Sequence, residues 1–191
     1  MSGLTEFEVA RLRWMELNLR LPDAGVLNTF PDELACHARL VEIRWPNGVH
    51  CPRCHEEFIG FLEGRQTFHC QTCLFQFTSK SYSLLHRSRV SLTNWFQATE
   101  TIIQAYSHDA MGVSLTGKSL ASQLGISYAA TCRLRGLIMG DIAKHGHDSL
   151  IARCICIESI SSPEGLSEGS EAYFLWIHDQ YTLRSERLRN F

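Results

Sequence analysis

An α+β fold is predicted for this 191-residue chain by three observations. Two Cys-x-x-Cys pairs, Cys51/Cys54 and Cys70/Cys73, have fifteen residues between them. Apolar residues recur at helical spacing in several segments, most regularly over residues 92–107. Two apolar runs near the C-terminus, Ile151–Ile160 and Ala172–Ile177, read as short strands. The predicted architecture is a small metal-clamped ribbon flanked by helices, then a helical region with a helix-turn-helix, then a C-terminal β-hairpin. The corresponding divisions are residues 1–27 for an N-terminal helix, 28–90 for the ribbon with its leading helix, 91–146 for the helical region, and 147–191 for the hairpin and tail.

The cysteine spacing carries the most specific chemistry. Two residues between ligands let a tight turn aim both sulfurs at one ion, so two such pairs predict one tetrahedral zinc on Cys51, Cys54, Cys70 and Cys73. The intervening stretch is long enough for a strand, a turn near Gly64 and a returning strand, and Leu74 to Phe77 alternate after it. Four thiolates leave no open position for water, so the zinc is expected to be structural and no catalytic residue is assigned. His50, His55 and His69 flank the ligands. Any of them could replace a cysteine, but with four sulfurs present they read as surface or supporting residues.

Composition excludes several classes. No run of eighteen apolar residues predicts a membrane span, and the N-terminus lacks a basic start followed by an apolar core. Cys36, Cys132, Cys154 and Cys156 are then free thiols, as a reducing cytoplasm permits. The net charge of −2 argues against a uniformly basic coat. Its distribution is uneven, however. Residues 80–144 hold Lys80, Arg87, Arg89, Lys118, Arg133, Arg135 and Lys144 against Glu100, Asp109 and Asp141, so positive charge concentrates just after the ribbon.

The helices follow in order. Thr5 and Glu8 form a capping box for a helix to about Arg20, with Val9, Leu12, Met15 and Leu19 on one side. Pro31, Asp32 and Glu33 suit the first turn of a second helix, whose expected apolar face is Leu34, Ala38, Val41 and Trp45. Leu92, Trp95, Phe96, Thr99, Ile102, Ile103 and Tyr106 mark the buried stripe of a third. Next, Ser119 to Leu124, Gly125 and Ser127 read as a short helix, a tight turn and an N-cap for a helix to about Met139. This is a helix-turn-helix pattern, in which the second helix enters the major groove by its N-terminal half. The candidate DNA contacts are Ser127, Tyr128, Thr131, Arg133 and Arg135, with Arg87, Arg89 and Lys118 nearby in sequence. A plain helical hairpin would carry the same pattern.

A longer series of residues occurs in order: Phe30-Pro31-Asp32-Glu33, Cys36, Leu40, Arg44-Trp45-Pro46-Asn47-Gly48, both cysteine pairs, Phe77-Thr78, His86-Arg87-Ser88, and Leu92-Thr93-Asn94-Trp95-Phe96. Over about residues 28–140 the chain resembles the N-terminal part of bacterial insertion-sequence transposases that begin with a zinc ribbon. The resemblance implies double-stranded DNA as partner, through ribbon and helix-turn-helix, in the cytoplasm at the nucleoid, with a homo-oligomer compatible. It also implies a following catalytic domain of ribonuclease-H type, whose first strand is similar to Ile155–Glu158. That strand carries an Asp-Glu pair in the family where this chain has Ile157-Glu158. The expected function is zinc-dependent DNA binding without catalysis. A transposase completed by another chain, and a zinc-ribbon adaptor for proteins, are the alternative readings.

Overall fold

The computed structural model describes residues 3–109 and 111–189. Helix α1 (Glu6–Leu19) starts as its capping box requires. The Glu8 amide donates to the Thr5 hydroxyl at 3.3 Å, and the Thr5 amide donates to the Glu8 carboxylate at 2.8 Å. The helix is buried on two sides, not the single side expected. Trp14 and Leu17 enter the main core, whereas Leu12 and Met15 face a C-terminal helix, and Val9 is exposed. A one-turn helix, α2 (Val26–Thr29), is capped by Glu100, whose carboxylate accepts the Val26 amide at 3.0 Å.

Helix α3 (Glu33–Arg44) is capped by Asp32, which accepts the Ala35 amide at 2.8 Å. It also serves two cores. Cys36 and Leu40 face the main core, and Val41, with Trp45 just beyond, packs on the ribbon. Leu34 and Ala38, expected on its buried face, are exposed. A helix wedged between two bodies presents two stripes, which a search for one stripe misses.

The ribbon is a three-stranded antiparallel sheet of β1 (Ile59–Leu62), β2 (Thr67–Cys70) and β3 (Gln76–Phe77), in that order. Ile59 pairs with Cys70, and Phe68 with Phe77. Its core is Trp45, Phe68 and Phe77 around Cys51 and Cys70, too little apolar surface to hold a fold without a clamp. Gly60 lies opposite His69, and a Cβ there would stand 2.0 Å from the imidazole Cε1.

Helix α4 (Leu92–Asp109) is the axis of the helical body and touches α1, α2 and α3, together with three later helices. Trp95, Phe96, Ile102 and Ile103 are buried on it, as their spacing predicts. Glu33 of α3 accepts the Leu92 and Thr93 amides at 2.9 and 3.1 Å, so the ribbon's lead helix caps the central one. Helix α5 (Gly117–Leu124) ends at Gly125, left-handed at φ 63°, where glycine avoids the Cβ penalty. Ser127 then caps α6 (Tyr128–His145) by accepting the Ala130 amide at 3.3 Å. This helix runs past Met139 because Ile138 and Ile142 continue its buried stripe.

The α+β class holds, with a small sheet and a largely helical remainder, but the C-terminal hairpin does not. Residues Leu150–Ile155 form helix α7, and Glu171–Arg189 form helix α8, with coil between them. A short apolar run cannot distinguish a buried helix from a strand by periodicity. Ile151, Ala152, Cys154 and Ile155 are buried against α4 and α6, and Ser149 caps them by accepting the Ala152 amide. In α8 the buried residues Tyr173, Ile177 and Arg184 keep helical spacing, and this stripe becomes visible only beyond Ile177. The likeness of Ile155–Glu158 to a catalytic first strand falls with the hairpin. Ile157 and Glu158 lie in coil, and Asp179 is on α8.

Helix α8 packs along α1. Its Arg184 donates to the Leu19 and Leu21 carbonyls at 3.5 and 2.7 Å and pairs with Asp23. No helix among the described residues is long and apolar enough to cross a membrane.

Candidate functional site

Both cysteine pairs sit in the same local turn. The His55 amide donates to the Cys51 carbonyl at 2.9 Å, and the Leu74 amide donates to the Cys70 carbonyl at 3.0 Å. The Cys51 amide donates to the Glu56 carbonyl at 2.8 Å, and the Cys70 amide to the Phe75 carbonyl at 2.9 Å. Each turn forces the residue after the second cysteine into the left-handed region, His55 at φ 64° and Leu74 at φ 59°. The two knuckles are thus near copies, and they aim their sulfurs at one point.

All four sulfurs lie within 4.8 Å of one another. Cys51 to Cys73 is 3.6 Å and Cys54 to Cys70 is 3.5 Å. A zinc tetrahedron with bonds of about 2.3 Å has edges of about 3.8 Å, so the donor set fits that ion. Backbone amides support the thiolates: Arg53 donates to the Cys51 sulfur at 3.4 Å and Cys73 to the Cys70 sulfur at 3.5 Å. The Cys73 amide holds the Cys70 thiol down to about 6. Cys54, although the Glu56 amide favours its thiolate, is pushed up to about 12 by burial and by the neighbouring sulfurs. A divalent cation relieves that opposition by replacing the shared protons. The histidines stay outside the donor set. His55 is exposed, His50 meets the Trp45 edge at 6.2 Å, and the His69 ring lies against Gly60. None of the eight cysteines is in a disulfide.

Residues 31–76 match the transposase zinc-ribbon domain. The ribbon is similar to those of transposases. A 110-residue segment is 28% identical to an uncharacterized protein in transposable element ISH50 of Halobacterium salinarum, covering 56% of this chain and 35% of that protein. The chain therefore spans about a third of the length of this relative. Together the two matches support an insertion-sequence transposase-related family and a structural zinc ion. No solved structure matches the chain.

The transposase-type ribbon is followed by a turn-rich segment, residues 78–91, which borders an open cleft of about 480 Å³. On one side stand His86, Arg87 and Arg89, and on the other the first turns of α6, with Arg133. Leu134 and Leu137, farther along α6, also line it. Arg87, Arg89 and Arg133 are exposed and come together here from positions over forty residues apart. The segment is held from behind: the Trp95 indole N–H donates to the Ser88 hydroxyl at 3.1 Å, and the Lys80 ammonium to the Ser88 carbonyl at 3.4 Å. The Arg44 and Trp45 of the lead-in also gain a physical role. The Arg44 guanidinium lies 4.4 Å over the Trp45 ring and donates to the Ser79 carbonyl, joining lead helix and segment.

The remaining candidates divide. Tyr128 and Lys118 are exposed, and Ser127 is occupied as the α6 cap. Thr131 is not outward. It is fully buried, with its hydroxyl on the Ser127 carbonyl at 3.0 Å, because its position falls on the stripe of Leu134 and Ile138. Arg135 points inward, donating to the Leu115 carbonyl at 3.3 Å and the Tyr106 hydroxyl at 2.9 Å. It braces α6 against the helical body. Sequence reading missed His86 as a cleft residue, although its neighbours Arg87 and Ser88 were prominent.

Proposed function

We propose that this chain is a zinc-stabilised DNA-binding module of an insertion-sequence transposase-related protein, and that it supplies recognition rather than catalysis. The observation that carries the reading is the convergence of Arg87, Arg89 and Arg133 on one open cleft beside the N-terminal half of α6. The pair α5–α6, with its glycine turn and serine cap, has the form of a helix-turn-helix whose second helix lies in a groove while neighbouring cations meet phosphate. The transposase-type ribbon supports the setting. Zinc serves the fold, since four sulfurs close its coordination.

Anisotropy titration of duplex DNA across a salt series tests this reading. Arg87→Gln, Arg89→Gln and Arg133→Gln should each weaken binding. Each arginine that pairs with a phosphate should, on removal, make the salt slope shallower by about one. Equal affinity and slope in the triple variant, with zinc retained, would remove the cleft from the interface. The catalytic part of the proposal has its own test. Pure protein with Mn²⁺ should leave supercoiled plasmid intact. Nicking that disappears in Glu158→Gln would make Glu158 a metal ligand and overturn it.

A further inference from the structure

The cleft does not end at Arg87. From it a row of rings and cations runs back across the surface to the zinc knuckle. His86 stacks on Tyr82 with centroids 5.6 Å apart and planes 23° from parallel. Tyr82 meets Phe75 at 6.0 Å, and the Arg53 guanidinium, inside the first knuckle, stands 5.8 Å over Phe75. Tyr82 is 62% exposed, and Arg53 and His86 are also exposed. A large aromatic ring left this open contributes little to a core.

The backbone holds the row in place at a cost. Tyr82 and Arg87 are both left-handed, at φ 57° and 58°, where side chains other than glycine are rare. Two such residues five positions apart persist because hydrogen bonds over-determine the segment. The Tyr82 amide donates to His86 Nδ1 at 3.2 Å, and the His86 amide donates to the Ser83 carbonyl at 2.9 Å. Strain retained in an exposed segment marks a conformation kept for its surface. The first hydrogen bond leaves Nε2 as the protonated nitrogen of neutral His86.

Exposed rings interleaved with cations suit unstacked bases, because every base has a π-face and every nucleotide a phosphate. A base inside a duplex offers its faces only to its neighbours. We infer that the Tyr82–His86 platform takes unpaired DNA bases next to the duplex held in the basic cleft, so that the preferred substrate is a duplex with a single-stranded extension. This rests on the DNA-binding reading above and names its substrate class.

The test uses the full zinc-loaded chain and three DNAs of one sequence: a blunt duplex, the duplex with a short single-stranded extension, and the single strand. A 2-aminopurine in the extension reports stacking by loss of fluorescence. The extended duplex should bind roughly tenfold or more tighter than the blunt one, with the probe quenched. Tyr82→Ala should abolish both the preference and the quenching and leave blunt-duplex affinity unchanged. Tyr82→Phe, which keeps the ring, should restore both. Zinc content and circular dichroism equal to the parent protein show that Tyr82→Ala is folded; if it is not, Tyr82→Asn, which removes the ring and tolerates the left-handed backbone, takes its place with the same expectation. Equal affinity for blunt and extended duplexes, or quenching that survives removal of the ring, overturns the inference while the duplex-binding reading stands. Failure of the parent chain to bind any of the three DNAs ends both.

Discussion

Two residues after the cysteine pairs carry a conformational cost that the ribbon imposes. His55 and Leu74 are left-handed, and Leu74 is 79% exposed, so neither gains packing that compensates. Glycine at such a position removes the Cβ clash. His55→Gly and Leu74→Gly should therefore each stabilise the zinc-bound protein by about 0.5–1 kcal/mol, with thermal unfolding as the measurement. A lower midpoint for both would mean that these side chains hold the knuckles by contacts other than their backbone geometry. The ligands act in the opposite direction. Cys70→Ser should release the ion and unfold the ribbon, because metal binding here is folding free energy. Zinc analysis and near-ultraviolet circular dichroism should change together.

At the level of elements, the lead helix α3 couples ribbon and helical body. Its Glu33 caps α4, its Trp45 fills the ribbon core, and its Cys36 and Leu40 enter the main core. The segment after the ribbon depends on α4 in turn, through the Trp95–Ser88 hydrogen bond. Ser88→Ala removes that bond and the one its hydroxyl accepts from the Val90 amide at 3.2 Å, and it deletes no apolar side chain. It should lower stability by about 1–3 kcal/mol, because the buried Trp95 N–H loses its acceptor, and should also weaken DNA binding by a few-fold. Loss of stability without loss of affinity would make the bond a support for α4 alone. Within the sheet, Gly60→Ala places a methyl where the His69 ring lies. It should destabilise the ribbon by about 1–3 kcal/mol, as overpacking does, read as zinc lost at lower chelator concentration.

For the whole molecule, a polar triad ties the ends of the chain together. The Glu16 carboxylate accepts the Tyr173 hydroxyl at 2.8 Å and contacts His147 Nε2 at 2.7 Å, linking α1, the turn before α7, and α8. Burial pushes the Glu16 carboxyl up, but these two hydrogen bonds outweigh it and the pKa is lowered. A depressed carboxyl contributes stability that is present above its unfolded value and lost as pH falls through its folded one. Glu16→Gln should therefore cost about 1–3 kcal/mol near pH 7. Its deficit relative to the parent protein should shrink as the pH drops below the ordinary carboxylate range. A deficit that is independent of pH would show that shape, not charge, makes this junction.

The amino-acid sequence by itself determined what short spacing controls. The cysteine pairs specify their own turns, since the ligands of each knuckle are three residues apart and their backbone hydrogen bonds stay local. Thr5 with Glu8, Gly125 and Ser127 mark helix ends by side chains that bond within one turn. The spacing around Trp95 shows the axis of the helical body for the same reason. Tertiary structure alone decided the rest. Whether Ile151–Ile155 is strand or helix depends on the helices that bury it, and an apolar run is silent on that choice. Thr131 and Arg135 sit on a helix read correctly, but which side meets the body is settled by α4 and α5. The cleft is the clearest case. Arg87 and Arg133 become neighbours only because packing on α4 brings the segment after the ribbon against α6, a closure between distant residues that no local pattern encodes.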